Sequence, residues 1–519
     1  MRTHRFVFVL SLLACRLGAA DVPADAPPAL SLAPVFGDHA VLQRGKPVPV
    51  WGNARPGQAV TVAFRGREAT TVAGADGRWS VTLDSLDASA DPSDLSVTGG
   101  STVVLHDIVV GDVWLCSGQS NMEFTVDDGG DTYRVANAEA EVAAAKYPLI
   151  RQLKVERTVA TSPQASVPTS GWIAASPKTA GQFTAVGYFF ARDLFRTTGI
   201  PIGLIDSPWG GTPIESWIPD AARERTSIAA RLDKRWKDAL DSWPPERIAR
   251  YPLDVQAWEQ DFFEAKQTGA KMVLDWPQPP ATPSSPALPG GLYNAMIAPL
   301  QPCALRGILW YQGESNVGHA DEYAELFGAL ITSWRAGWGQ GDLPFYFVQL
   351  ANFGDVKERV DRGWALLREA QQQALLLPAT GMAVTVDIGE AENIHPRNKQ
   401  EVGRRLALIA KDQLYGVHAE TSGPLFQSAE VEGAAIRVRF THASGPLVSR
   451  NGPVCGLEIA GDDRRFVPAE GVIDGATLVV ASAAVKSPVA VRYAWTNAPV
   501  ANLYNESGLP AAPFRSDNW

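Results

Sequence analysis

The chain has 519 residues, room for about three domains at roughly 150 residues each. Hydrophobic residues make up 45% and charged residues 20%, a globular balance that excludes wholesale disorder and a collagen-like rod. A formal charge of −10 argues against a general attraction to nucleic acid or to anionic membranes.

Residues 1–20 read as an export leader. Arg2 and Arg5 precede an apolar run over 6–14, and the small residues Gly18, Ala19 and Ala20 stand before Asp21, the three parts of a cleavable signal peptide. The run is too short to cross a bilayer, which takes about 20 apolar residues. Export to the periplasm or the extracellular space is therefore expected. A lipid anchor at Cys15 is the alternative, because Leu12-Leu13-Ala14-Cys15 loosely matches an acylation box. Cys116, Cys303 and Cys455 lie far apart with no C-x-x-C pair, which excludes a zinc ribbon or a dense disulfide framework and permits one bridge in an oxidising compartment. The seven histidines have no clustered ligand spacing, so neither a metal nor another cofactor is expected.

Residues 30–106 are expected to form an N-terminal β-sandwich. Val60-Thr61-Val62-Ala63-Phe64 reads as a strand, and Asp76-Gly77 as a hairpin turn into Arg78-Trp79-Ser80-Val81-Thr82-Leu83. Residues 107–417 change rhythm. Apolar runs at 113–116, 202–205, 308–311, 345–350 and 382–386 each stop at a small or polar loop, with helical patterns between them. Tyr323, Leu326, Phe327, Leu330, Ile331 and Trp334 follow the spacing of one buried helix face. A second helix is predicted over 186–196, stopped by Gly199, and a third over 398–413. This alternation predicts an α/β domain with a parallel sheet covered on both faces. An insertion at 221–289 reads as helices followed by a Pro-rich stretch from 277. The last part, 418–519, is β-rich again: Ile436-Arg437-Val438-Arg439-Phe440 alternates as a half-buried strand does, and further strands are expected over 471–480 and 489–495.

Ligands of open parallel sheets bind outside the carboxyl ends of the strands. The loops there carry Ser117-Gly118-Gln119-Ser120-Asn121-Met122, Trp209-Gly210-Gly211-Thr212, Gln312-Gly313-Glu314-Ser315-Asn316, and a stretch from Asp387 to His395-Pro396. A serine hydroxyl becomes nucleophilic when a base removes its proton, and histidine is the usual base. Ser120 and His395 are the candidates. A carboxylate on the other ring nitrogen would fix the tautomer; Glu392 is first choice, with Asp387 and Glu390 as rivals. Oxyanion donors for acyl transfer are the Ser120 and Gly211 N–H groups and a side-chain amide, Gln312 before Asn316. The second glycine of G-x-S-x-G is missing, so the α/β-hydrolase elbow is not expected.

These four loops resemble the blocks of the SGNH hydrolase superfamily and, more narrowly, the sialate O-acetylesterase-like carbohydrate esterases. The stretches Gly118 to Glu123, Trp209 to Trp217, Trp310 to Asn316 and Ile394 to Gln400 carry the likeness, with Gly291-Leu292-Tyr293-Asn294-Ala295-Met296 and the tail from Tyr493 to Arg515. The resemblance implies an SGNH-hydrolase-like three-layer fold flanked by β-sandwich regions of jelly-roll or Ig type. It also implies Ser120 as nucleophile, His395 as base and Gly211 as oxyanion donor. Glu392 departs from the superfamily's Asp, and Gly313-Glu314-Ser315-Asn316 from its G-x-N-D block. The implied substrate is an acetylated carbohydrate. The inserted helices and flanking sandwiches favour a long groove and hence a plant cell-wall polysaccharide such as xyloglucan or xylan. O-acetyl sialic acid is the alternative, and a non-catalytic carbohydrate-binding protein or a lipid esterase are further ones.

Overall fold

In the computed structural model residues 30–130, 133–270, 273–274, 277, 279–354 and 362–519 are described; the expected leader, with Cys15, lies outside them. The apolar runs of the middle region become β1 (Thr102–Gly118), β4 (Ile202–Pro208), β5 (Gly307–Tyr311), β6 (Phe345–Val348) and β7 (Thr380–Ala383), joined by β2 (Tyr147–Val155) and β3 (Thr169–Ala175). They lie in the order β3-β2-β4-β1-β5-β6-β7. Every neighbouring pair is parallel except the edge strand β3, which is antiparallel to β2.

Burial on both faces explains why these strands read as unbroken apolar text. Trp114 of β1 packs edge-on against Phe190 of α1 (Ala185–Thr198). On the opposite face Trp310 of β5 and Phe347 of β6 meet Phe327 of α4 (Ala320–Trp338). Between these helices in the chain lie α2 (Ala229–Asp241) and α3 (Pro245–Thr268) of the insertion. After α4 come α5 (Gly363–Gln372) and α6 (Lys399–Tyr415). Gly403 lets α6 lie directly on α1, since a Cβ there would be 2.6 Å from the Cβ of Phe189.

The expected boundary between residues 106 and 107 falls inside β1. From Thr102 to Asp107 exposure alternates, and from Ile108 to Gly118 every residue is buried. Asp107 turns to a φ of 56°, bending the strand without interrupting it, and its carboxylate accepts from Arg151 at 3.0 Å. The first half of β1 pairs with strand Ser89–Thr98 of the N-terminal β region, and the second half with β4 and β5. N-terminal residues such as Val62 and Trp79 consequently share one apolar core with Trp114 and Leu309.

The turn at Asp76-Gly77 forms, with Gly74 N–H donating to Arg78 O at 2.9 Å, yet it is no hairpin. Strand Arg67–Val72 pairs with Ala59–Phe64, whereas Arg78–Leu83 pairs with Val48–Asn53, so the turn carries the chain from one sheet to another. The C-terminal region has two four-stranded antiparallel sheets around its own core of Val438, Ile459, Leu478, Val491, Tyr493 and Phe514. Cys116, Cys303 and Cys455 are all free thiols.

Candidate active site

Glycine sets the path of the chain out of β1. Gly118 has a φ of 134°, and a Cβ there would be 2.1 Å from Tyr311 O, so no side chain fits between β1 and β5. The next residues form a single helical turn, Ser120–Glu123. Gln119 N–H donates to Tyr311 O at 2.9 Å, and its side-chain oxygen accepts from the Gly313 and Ser315 N–H groups at 3.2 and 3.3 Å. The loop after β4 is tied to the same place, Trp209 N–H donating to Gly118 O at 3.0 Å and Gly210 N–H to Glu123 Oε2 at 2.8 Å. Glu123 is also ion-paired with Arg157.

Ser120 and His395, 275 positions apart, meet here: Nε2 of the imidazole is 2.8 Å from the Ser120 hydroxyl. Ser120 is 8% exposed, and the Tyr133 ring stands at 87° to the imidazole, 5.3 Å between centroids. Burial, and secondarily the Lys399 cation, pull the His395 pKa down to about 4. A base with those neighbours stays neutral and ready to accept a proton. The Ser120 and Gly211 N–H groups have no acceptor among the described residues. Gly211 takes a φ of 74° with open space where a Cβ would stand, leaving its N–H available to a developing oxyanion.

None of the three candidate carboxylates reaches the imidazole. Asn393 N–H donates to Glu390 O at 2.9 Å, closing a tight turn with Ala391 and Glu392 at its corners, and Glu392 is thereby exposed. Glu390 accepts from the Arg397 N–H at 2.8 Å. Asp387 is held by Arg405 at 2.6 and 2.8 Å and by the Tyr504 hydroxyl at 3.2 Å. Glu392, Glu390 and Asp387 are thus corrected as partners of the ring, and among the described residues Ser120 and His395 stand as a pair with no carboxylate hydrogen-bonded to the imidazole.

The side-chain amide is corrected as well. Both N–H bonds of Gln312 are taken, by Thr212 O at 3.1 Å and Asn316 Oδ1 at 2.7 Å, and its oxygen accepts from Tyr323 at 2.8 Å. Asn316 donates to Glu215 at 2.9 Å and accepts from Ile214 N–H at 2.9 Å. The two amides hold the glycine loop from beneath.

Sequence reasoning missed the buried polar cluster behind the dyad. Asn121 donates to Glu314 Oε1 at 2.5 Å and to the Ile394 carbonyl at 3.0 Å, while its oxygen accepts from Lys399 Nζ at 2.5 Å. Burial raises the Glu314 pKa and brings Lys399 down to about 7. These residues stood inside the recognised motifs, but a linear motif does not reveal that an ionisable side chain is buried.

A family model described as a carbohydrate esterase, sialic acid-specific acetylesterase, matches residues 110–243 and 267–411; nearly all of α3 falls in the gap. A rat sialate O-acetylesterase is 32% identical over 517 residues, 90% of each chain. The human one is 32% identical over 518 residues, 90% of this chain and 88% of its own. A solved carbohydrate acetylesterase from Xanthomonas citri is 40% identical with a TM-score of 0.79, over 95% of this chain and all of that one.

Proposed function

Since the chain belongs to the sialic acid-specific acetylesterase family of carbohydrate esterases, and is accordingly an acetylesterase, we propose that Ser120 and His395 remove acetyl groups from sugar hydroxyls. The observation that carries this reading is the 2.8 Å contact between the Ser120 hydroxyl and a neutral imidazole. Ser120 Oγ bonds to the acetyl carbonyl carbon while His395 Nε2 takes the hydroxyl proton, and the Ser120 and Gly211 N–H groups hold the oxyanion. His395 then gives that proton to the departing sugar oxygen as the ester bond breaks. Water, deprotonated by His395, attacks the acetyl-Ser120 and releases acetate and the free serine. On this reading three of the loops carry the parts in the manner of an SGNH hydrolase, the Gln312–Asn316 loop supporting the glycine loop.

The acetylated sugar is, on this reading, O-acetyl sialic acid, supported by the family description and the mammalian relatives. Tyr133 packs against His395, and the half-buried Trp209, on the loop tied to Gly118, is a second aromatic surface for a sugar ring. A second reading, an acetylated polysaccharide such as xyloglucan or xylan, draws support from a cleft of about 720 Å³ lined by Trp51, Asn53, Arg78, Ser80, Ala165 and Ser166. The loop at 156–168, which gives Ala165 and Ser166 to that cleft, also carries Arg157, ion-paired with Glu123 of the Ser120 turn. Acetate release from the three substrates side by side decides between them: a higher kcat/KM on O-acetyl sialic acid supports the first reading, and the reverse order supports the second. For the esterase itself, Ser120→Ala is expected to lower kcat on p-nitrophenyl acetate at least about 1,000-fold with the protein folded; near-normal turnover overturns it. The leader at Arg2 to Ala20 supports export. N-terminal sequencing of the exported protein should begin at Asp21, whereas a lipidated Cys15 as first residue would mean anchoring.

A further inference from the structure

Between β7 and α6 the chain runs from Ala383 to Lys399 without helix or strand, and His395 sits near the end of that loop with no carboxylate among the described residues hydrogen-bonded to its ring. Something else has to keep Nε2 against a hydroxyl carried by a different strand. Asn121 follows Ser120 directly, and Ile394 precedes His395 directly. The hydrogen bond from the Asn121 amide to the Ile394 carbonyl, at 3.0 Å, therefore closes a short ring through Ser120, Asn121, Ile394 and His395, completed by the 2.8 Å dyad contact.

The sense of that amide is imposed from both sides. Lys399 is a donor only and sits on the oxygen, while Glu314 and the Ile394 carbonyl are acceptors and sit on the nitrogen. A flipped amide would set an oxygen against two acceptors and a nitrogen against an ammonium. Asn121 is 1% exposed, and the ammonium of Lys399 lies over the rings of Phe124 and Tyr311, at 4.7 and 5.4 Å, so water does not compete for the cluster.

We propose that Asn121 is the positioning residue of the dyad: clamped between Glu314 and Lys399, its amide fixes the His395 loop against the Ser120 turn in place of a triad acid. The assignment rests on the esterase reading and adds to it a part that touches neither substrate nor the reacting atoms.

Asn121→Asp is isosteric but presents an oxygen to Glu314 and to the Ile394 carbonyl. Adding Glu314→Gln restores a donor toward the new carboxylate and leaves the Ile394 carbonyl unpaired. Three readouts are followed: the thermal midpoint, kcat and KM on p-nitrophenyl acetate, and the rate at which a fluorophosphonate labels Ser120. Since a displacement of about 1 Å can cost about 100-fold, the single variant is expected to lose roughly 30- to 100-fold in kcat and labelling, with KM within about threefold. The double variant is expected to regain the thermal midpoint without regaining kcat or labelling. A single variant within about threefold of the parent overturns the proposal, and so does kcat recovering in step with the midpoint, which would make the cluster merely structural. If Asn121→Asp does not fold, Asn121→Ser removes the same donor without adding charge, and unchanged labelling in it is equally fatal. A parent whose Ser120 is labelled but which hydrolyses no ester defeats the esterase reading, while the labelling rates still decide this one; a parent that is not labelled defeats both.

Discussion

His395 is held neutral well into acid. Its pKa lies at about 4, lowered first by burial and then by the Lys399 cation, and with its own value at about 7 that lysine is charged throughout the acidic range. The reaction needs the unprotonated imidazole, so kcat/KM should hold to well below pH 6 and fall near pH 4, rather than near the 6.5 of an ordinary histidine. A pH–rate profile on p-nitrophenyl acetate checks this. The same shift bears on stability: the unfolded chain binds its proton at about 6.5 and the folded one only near 4, so the native state loses stability as pH falls through that window. That Ser120 and His395 meet was legible because each stands past the carboxyl end of a strand of one parallel sheet. That Glu392 stands away from the ring was not, because its direction depends on a turn closed by Glu390 and Asn393. Gln312 was misassigned because nothing in a linear motif tells which acceptors its amide meets.

α6 begins beside the dyad, and its start depends on one cap. The Asn398 side chain accepts from the Glu401 N–H at 3.2 Å, satisfying one of the open donors of the first turn. Asn398→Ala should lower stability by about 1 kcal/mol, read from urea denaturation. The turn it loosens contains Lys399, so the Asn121 cluster would feel it before the rest of the helix does. Elements of this kind were largely readable. The 3.6-residue spacing of Tyr323 to Trp334 became the buried face of α4, and doubly covered strands announced themselves as apolar runs. The hairpin at Asp76-Gly77 misled because a turn motif fixes the local reversal and not the sheet that the next strand joins.

At the scale of the whole molecule, one buried guanidinium ties a loop of the C-terminal region to the loop after β6. Arg368, fully buried on α5, donates to Leu350 O at 2.8 Å, Ala351 O at 2.9 Å, Thr496 O at 2.9 Å and Asn497 O at 2.7 Å. Arg368→Ala would leave the Leu350, Ala351 and Thr496 carbonyls without their donor, Asn497 O keeping the Phe353 N–H at 3.3 Å, and should cost about 3 kcal/mol, seen as a lower denaturation midpoint. Arg515 reinforces the joint through Glu369 at 2.9 and 3.0 Å. No sequence pattern distinguishes such an arginine from a solvated one.

β1 bears on what can be cut from this protein. A single run of peptide bonds serves the N-terminal sheet with one half and ends two residues before Ser120 with the other. A truncated gene product starting at residue 107 would strip away its neighbour's partner strand and bare the apolar side that both regions now cover. Grafting a foreign module at that junction would meet the same obstacle, and force applied to the amino-terminal region would travel along covalent backbone, with no hinge to absorb it, toward the serine.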